Sequence, residues 1–151
     1  MQPAEPPTLG WREWLALPVL GIGAIKAKLD TGARSSALCV VAAETFEREG
    51  RLHVRFLVRP RRRGGRVIAC ESPVVGRRPV TDSGGHTSER WFIRTEVVVA
   101  NQRFETDINL TDRRAMLFPL LLGRTALGGR FRIDPALSYT GAKPESARPR
   151  P

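Results

Sequence analysis

Period-two alternation of apolar and polar residues, repeated in short runs, limits this chain more than any other feature. In "AIKAKLD" (24–30), Ile25, Ala27 and Leu29 point one way and Lys26 and Lys28 the other. Upstream, Trp11, Glu13 and Leu15 alternate with Arg12, Trp14 and Ala16, and "LGIG" (20–23) supplies a turn, so the two runs predict a hairpin. A second hairpin is predicted over 45–60, with Glu49-Gly50 at its tip and Leu52, Val54, Phe56 and Val58 on one face. "RVIACESPVV", "RWFIRTEVVVA" and "QRFETDINLT" predict three more strands, the last two joined at Asn101. "AMLFPLLLGRTALGGRFRIDP" reads as a strand, a Gly-Arg turn, one short helical turn and a closing strand. The polar stretch 77–90 reads as a loop. Short strands dominate and helix is scarce, so the expected fold is all-β, a closed or nearly closed barrel with one short C-terminal helix.

At 151 residues the chain suits one domain with a real core. The Pro-rich, polar ends offer no apolar face, so residues 1–8 and 140–151 are expected to be disordered around an ordered domain at 9–139. The net charge is +10, from 25 Lys+Arg against 15 Asp+Glu. The densest run, "RPRRRGGR" (59–66), contains Pro and Gly, and reads as a solvated or substrate-attracting loop. Without interleaved aromatics it is not a nucleic-acid signature. The apolar stretches "WLALPVLGIGAI" and "AMLFPLLLG" are broken by Pro and fall short of the ~20 residues a spanning helix needs. No secretory signal is visible, and Cys39 and Cys70 make no disulfide framework. A cytoplasmic protein with reduced thiols and no membrane contact is the expectation.

Two stretches carry chemistry. The first is an apolar strand ending in Asp30-Thr31-Gly32-Ala33; the second is Leu121-Leu122-Gly123-Arg124. Together they form the half-site of an aspartic peptidase. The strand fixes the Asp30 carboxyl, the Gly32 backbone comes close enough to hydrogen-bond it, and the Thr31 hydroxyl can lock the loop against a partner. The apolar-apolar-Gly strand crosses beside the loop, where any side chain at Gly123 would push the loop outward. "VTDSGG" (80–85) imitates a second half-site at Asp82, but only one crossing strand follows both motifs, so Asp82 reads as a turn residue. With one half-site per chain, the chemistry needs two copies. Two carboxylates within about 3 Å share one proton, one side accepting a proton from water while the other hydrogen-bonds the scissile carbonyl. A two-fold homodimer with Asp30 of each subunit on the axis is therefore expected.

The blocks "GWREWLALP", "IKAKLDTGARSSAL", "CESPVV", "GGHTSERWFIRT", "INLTDRRAM" and "LLLGRTALGGRFRIDP" resemble a bacterial retropepsin-like family. That family is associated with the RimK glutamate ligase and has long been labelled "ATP-dependent zinc protease". The resemblance covers roughly Gly10 to Pro135. It implies an aspartic peptidase-like barrel of retroviral type centred on Asp30, Thr31 and Gly32, and a protein or peptide substrate that is acidic or glutamate-modified. Arg34, Ser35, Arg61, Arg62, Arg63 and His86 are the candidate substrate contacts. The hairpin at Glu49-Gly50 and the loop at 61–65 are the candidate flaps, with the arginine-bearing loop favoured. No cofactor is expected. Cys39, His53, Cys70 and His86 are not spaced as a zinc set, and "LGIGAIKAK" lacks the Gly-Lys-Ser/Thr ending of a phosphate loop. Two other readings stay open: a non-catalytic peptidase-fold module acting with a glutamate ligase system, and a basic nucleic-acid-binding barrel.

Overall fold

The alternation seen in the sequence becomes a mostly β architecture, in which twelve strands and one four-residue helix are described. The computed structural model describes residues 5–61, 65–112 and 117–144. In the first half, β1 (Thr8–Gly10), β2 (Arg12–Leu17) and β3 (Ile22–Leu29) precede β4 (Ser36–Cys39), β5 (Ala42–Arg48) and β6 (Arg51–Val58). The second half holds β7 (Ile68–Pro73), β8 (Gly76–Thr81), β9 (Thr87–Val99) and β10 (Gln102–Thr111). It ends with β11 (Leu120–Leu122), helix α1 (Arg124–Leu127) and β12 (Arg132–Asp134).

Six strands pair into a closed ring in the order β10-β4-β11-β3-β2-β9, and β9 returns to β10. The β9–β10 hairpin is the longest ladder, from Gln102↔Val99 to Asn109↔Phe92. Its two turn residues, Ala100 and Asn101, both have positive φ, as Glu49 and Gly50 do at the β5–β6 tip. Such turns match the right-handed twist of the flanking strands. The polar stretch read as a loop at 77–90 is instead the β8–β9 hairpin, with β8 on the outer edge of β9. Arg77 and Arg78 are exposed there, which an edge strand tolerates.

The ring encloses the core. Ile25, Ala27 and Leu29 of β3 are buried while Lys26 and Lys28 are exposed, and Leu15, Leu38, Ile93, Ile108, Leu120 and Leu122 fill the rest. Each such side chain contributes about 1.5–3 kcal/mol relative to an exposed one. A second sheet, β5-β6-β7, presents Val54, Phe56, Val58 and Cys70 to the same core.

One carboxylate ties the segment before β2 to the segment after β12. Glu13 is fully buried on β2 beside Leu15, and Oε2 accepts the Gly10 amide (2.6 Å), the Thr140 amide (3.1 Å) and the Thr140 hydroxyl (2.7 Å). Its Oε1 accepts the Gly141 amide at 3.2 Å. These contacts, with β1 starting at Thr8, run past the expected limits of 9 and 139. β1 lies parallel to β12, and Gly10 is the residue that lets the Leu137 carbonyl pass, since a Cβ there would collide with it. Among the described residues no helix is long and apolar enough to cross a membrane.

Candidate active site

Asp30 is the first residue beyond β3, and the neighbouring strand determines where it points. β11 runs parallel to β3, pairing Leu122 with Leu29, and the ladder continues one step as the Asp30 amide donates to the Leu122 carbonyl at 2.8 Å. The chain then turns sharply, with the Ala33 amide donating to the Asp30 carbonyl at 3.2 Å. Inside that turn the Gly32 amide donates to Asp30 Oδ1 at 2.9 Å. A Cβ on Gly32 would lie 3.1 Å from the same oxygen. Asp30 is half-buried and Thr31 is exposed. Asp30 Oδ2 has no hydrogen-bond partner among the described residues.

Gly123 holds the loop from behind. A Cβ there would sit 2.5 Å from the Ser35 carbonyl oxygen and 2.9 Å from that of Ala33, both rigid backbone. The segment that follows stitches itself to the loop: the Arg124 amide donates to the Ala33 carbonyl (2.8 Å) and the Thr125 amide to the Arg34 carbonyl (3.1 Å). The Arg124 guanidinium reaches across through Nη1 to the Thr31 carbonyl (3.2 Å) and the Gly32 carbonyl (3.1 Å). Arg124 thus clamps the loop. Leu122 is buried, and Leu121 and Ala33 are half-buried beside it.

A buried polar relay beneath the loop had no signal in the sequence beyond the residues themselves. Ser36 is fully buried; its Oγ accepts the Gly123 amide at 3.0 Å and its carbonyl accepts Asn109 Nδ2 at 2.8 Å. Asn109 Oδ1 in turn accepts Arg90 Nη1 at 3.0 Å. The parallel β10–β4 register, Ile108 opposite Ser36, is what brings Asn109 under the loop. Buried polar groups demand partners, and this chain of bonds supplies them while fixing the loop to the ring.

Beside the loop opens a cleft of about 610 Å³. Arg34 and Ser35 line it, with Arg78 of β8, Arg94 of β9, Asp107 of β10 and Arg130 beyond α1. Asp107 Oδ1 accepts Arg94 Nε at 3.0 Å, and this bond raises the Arg94 pKa above its ordinary value. The other sequence candidates lie elsewhere. Arg61 is exposed three residues beyond β6, and Arg62 and Arg63 fall outside the described residues. His86 is exposed at the β8–β9 turn and does not line the cleft. Asp82 serves that turn, its Oδ1 accepting the Gly84 amide (2.8 Å) and the His86 amide (3.1 Å).

Metal ligation finds no set among the described residues, where no three His, Cys, Asp or Glu side chains cluster. Cys70 is buried, its thiol donating to the Leu20 carbonyl at 3.4 Å, and burial pushes it up to about 11. His53 Nδ1 lies 3.0 Å from the Arg51 carbonyl and its ring packs against Phe46 at 5.5 Å. Cys39 is half-buried at the end of β4.

A closed β ring, one Asp-Thr-Gly loop and a crossing Leu-Leu-Gly strand define a retropepsin-like fold. The chain belongs to the RimB-like family, described as retropepsin-like aspartic endopeptidase RimB, whose family model matches residues 8–144. It is 41% identical, over 85% of its length, to a probable alpha-L-glutamate ligase of Desulfotalea psychrophila. It is 37% identical, over 87% of its length, to a protein of the same description from Shewanella pealeana. The chain spans only 28% and 29% of those two relatives. Its fold also matches the crystal structure of a Legionella pneumophila protein of unknown function, Lpg0085. That match has a TM-score of 0.74 and 29% identity, over 89% of this chain and 97% of that one.

Proposed function

We propose that the protein is an aspartic endopeptidase that works as a two-fold homodimer, hydrolysing a peptide bond in an acidic or glutamate-bearing protein. The observation that carries this reading is the state of the Asp30 carboxyl. Oδ1 is fixed by the Gly32 amide, Oδ2 has no partner among the described residues, and the loop is clamped by Arg124. A fixed carboxylate with one free oxygen is what a shared-proton pair requires of each half. In the dimer one Asp30 accepts a proton from the attacking water as the other, protonated, donates a hydrogen bond to the scissile carbonyl. In this reading Thr31, which is exposed, braces the other subunit's loop. The acidic substrate is supported by relatives described as glutamate ligases, whose reaction adds carboxylates.

Asp30→Asn keeps the size and hydrogen-bonding reach of the side chain but cannot take the proton. This variant is expected to fold and dimerise as wild type does, and to lose cleavage of a protein substrate by about 10²–10⁴-fold. Cleavage that survives in Asp30→Asn contradicts the assignment. A second reading, a non-catalytic module serving a glutamate ligase, is favoured by the fact that in the Desulfotalea relative the matching region is 28% of a longer chain carrying the ligase description. Under it, Asp30→Asn changes neither partner binding nor any cleavage.

A further inference from the structure

The outer face of β2 and β3 carries its own concentration of charge. Lys26 and Lys28 stand exposed on β3, opposite Trp14 and Arg12 of β2. The segment after β12 lies against this face. The Trp11 amide donates to the Leu137 carbonyl at 3.0 Å and the Tyr139 amide to the Arg12 carbonyl at 2.9 Å, while Glu13 holds Thr140 and Gly141. Tyr139 is thereby kept at a φ of 49°, a conformation that bulky side chains avoid. The result is an alternation of rings and cations. Arg12 lies over Trp11 (4.7 Å) and Tyr139 (4.9 Å), Lys26 over Tyr139 (5.6 Å) and Trp14 (5.1 Å), and Lys143 over Trp14 (4.7 Å). Among the described residues none of Arg12, Lys26, Lys28 and Lys143 forms an ion pair.

Cations without carboxylate partners attract an anion, and half-buried rings set between them fit a ligand that alternates charge with flat faces. A nucleic-acid strand is such a ligand, with phosphates for the cations and bases for the rings. We infer that this face binds a single-stranded nucleic acid. A peptide of carboxylates would use the cations and leave Trp14 and Tyr139 idle. A duplex keeps its bases stacked on one another and offers the rings none. Exposed cation–π contacts are weak, so Lys26 and Lys143 can exchange a ring for a phosphate as a base takes the ring face. The arginine run at 59–66 has no such rings in sequence, whereas here they are assembled from β2 and the segment after β12. None of these side chains lines the cleft beside Asp30, so binding here stands apart from the peptidase reading.

Fluorescence anisotropy of a labelled oligouridine of about twelve residues tests this, with an abasic strand of equal phosphate number and a duplex RNA as controls. Oligouridine is expected to bind saturably, its log affinity falling against log salt with a slope of about −3, as four phosphate contacts on a single strand require. The abasic strand and the duplex are each expected to bind about fivefold or more weakly. Lys26→Gln with Lys28→Gln should weaken oligouridine binding about tenfold and flatten the slope by about 1.4. Trp14→Leu should remove most of the preference over the abasic strand. If Trp14→Leu melts early, the exposed lysine pair decides the matter. Arg59→Gln with Arg61→Gln removes the same charge elsewhere on the surface and should leave affinity within about twofold. Absence of binding, equal affinity of wild type for the abasic strand, or a preference for the duplex overturns the inference. So does undiminished binding in the lysine variant, or an equal loss in Arg59→Gln with Arg61→Gln.

Discussion

The ring that carries the Asp30 loop and the β5-β6-β7 sheet are both built of short strands, yet they are held by different forces. Around the loop main-chain and buried bonds run from Leu122 to Asp30, Ala33 to Arg124, Ser36 to Gly123 and Asn109 to Ser36, and the exposed Arg124 guanidinium adds its clamp on Thr31 and Gly32. In the three-stranded sheet, β5 has no buried residue. Its outer face is dressed with Arg48–Glu71 (3.0 Å), Arg55–Glu44 (3.2 Å) and Arg55–Glu71 (3.5 Å), with both Arg48 and Arg55 packed against the Phe46 ring. Exposed ion pairs contribute little, whereas a buried unpaired group or a backbone clash costs a great deal. A site that must present one carboxyl in one place sits in the rigid region. The hairpin tipped by Glu49-Gly50, whose strand β5 has no buried residue, is expected to open at lower cost than the loop.

The sharpest way to break that contrast is Gly123→Ala. Its Cβ would need the Ser35 and Ala33 carbonyls to retreat, so a loss of about 2–4 kcal/mol in denaturant unfolding is expected, together with loss of cleavage. A change under about 0.5 kcal/mol would mean that the loop yields easily and is not fixed as described. Next in size is Asn109→Ala, which removes the Ser36 and Arg90 contacts inside the ring; about 2–3 kcal/mol is expected in the same measurement.

The buried side of the three-stranded sheet should respond to pH. Burial raises Cys70 from an ordinary 9.0 to about 11, so the folded state holds its proton more firmly than the unfolded chain does. That contribution is fully present below pH 9.0 and is lost as pH rises toward about 11. Unfolding free energy should fall across that interval in wild type and fall less in Cys70→Ala. Smallest of all is Glu71→Gln. Hydrogen bonding from Arg48, with the charge of Arg55 added, holds this carboxyl below its ordinary range, but the group is exposed. Its removal should leave the unfolding midpoint unchanged within error, while β5 amides exchange faster than those of β3 and β11 in both proteins.

How much of this was legible follows from distance along the chain. The β3 alternation, the Glu49-Gly50 and Asn101 turns and the Leu122-Gly123 crossing strand are local patterns, and each appears where the sequence puts it. β4 is four residues long and exists because β10 and β11 flank it, and β8 is a polar edge on β9, so neither has a period of its own to read. Glu13 shares a face with Leu15 as expected, but what makes a buried carboxylate tolerable is Thr140, 127 residues away. Asn109 and Arg90 are likewise ordinary strand residues until the β10–β4 register sets them under Gly123. The cleft is the extreme case, since Arg34, Arg78, Arg94 and Arg130 come from separate elements.

The central claim, that two Asp30 side chains share one reaction, is tested most directly by mixing subunits. Wild-type protein and Asp30→Asn are unfolded together, refolded at known ratios and assayed for cleavage at constant total concentration. A dyad formed across the dimer predicts activity falling as the square of the wild-type fraction, because every mixed dimer is silent. Activity falling in direct proportion to the wild-type fraction would show that each Asp30 works alone, and would contradict the account.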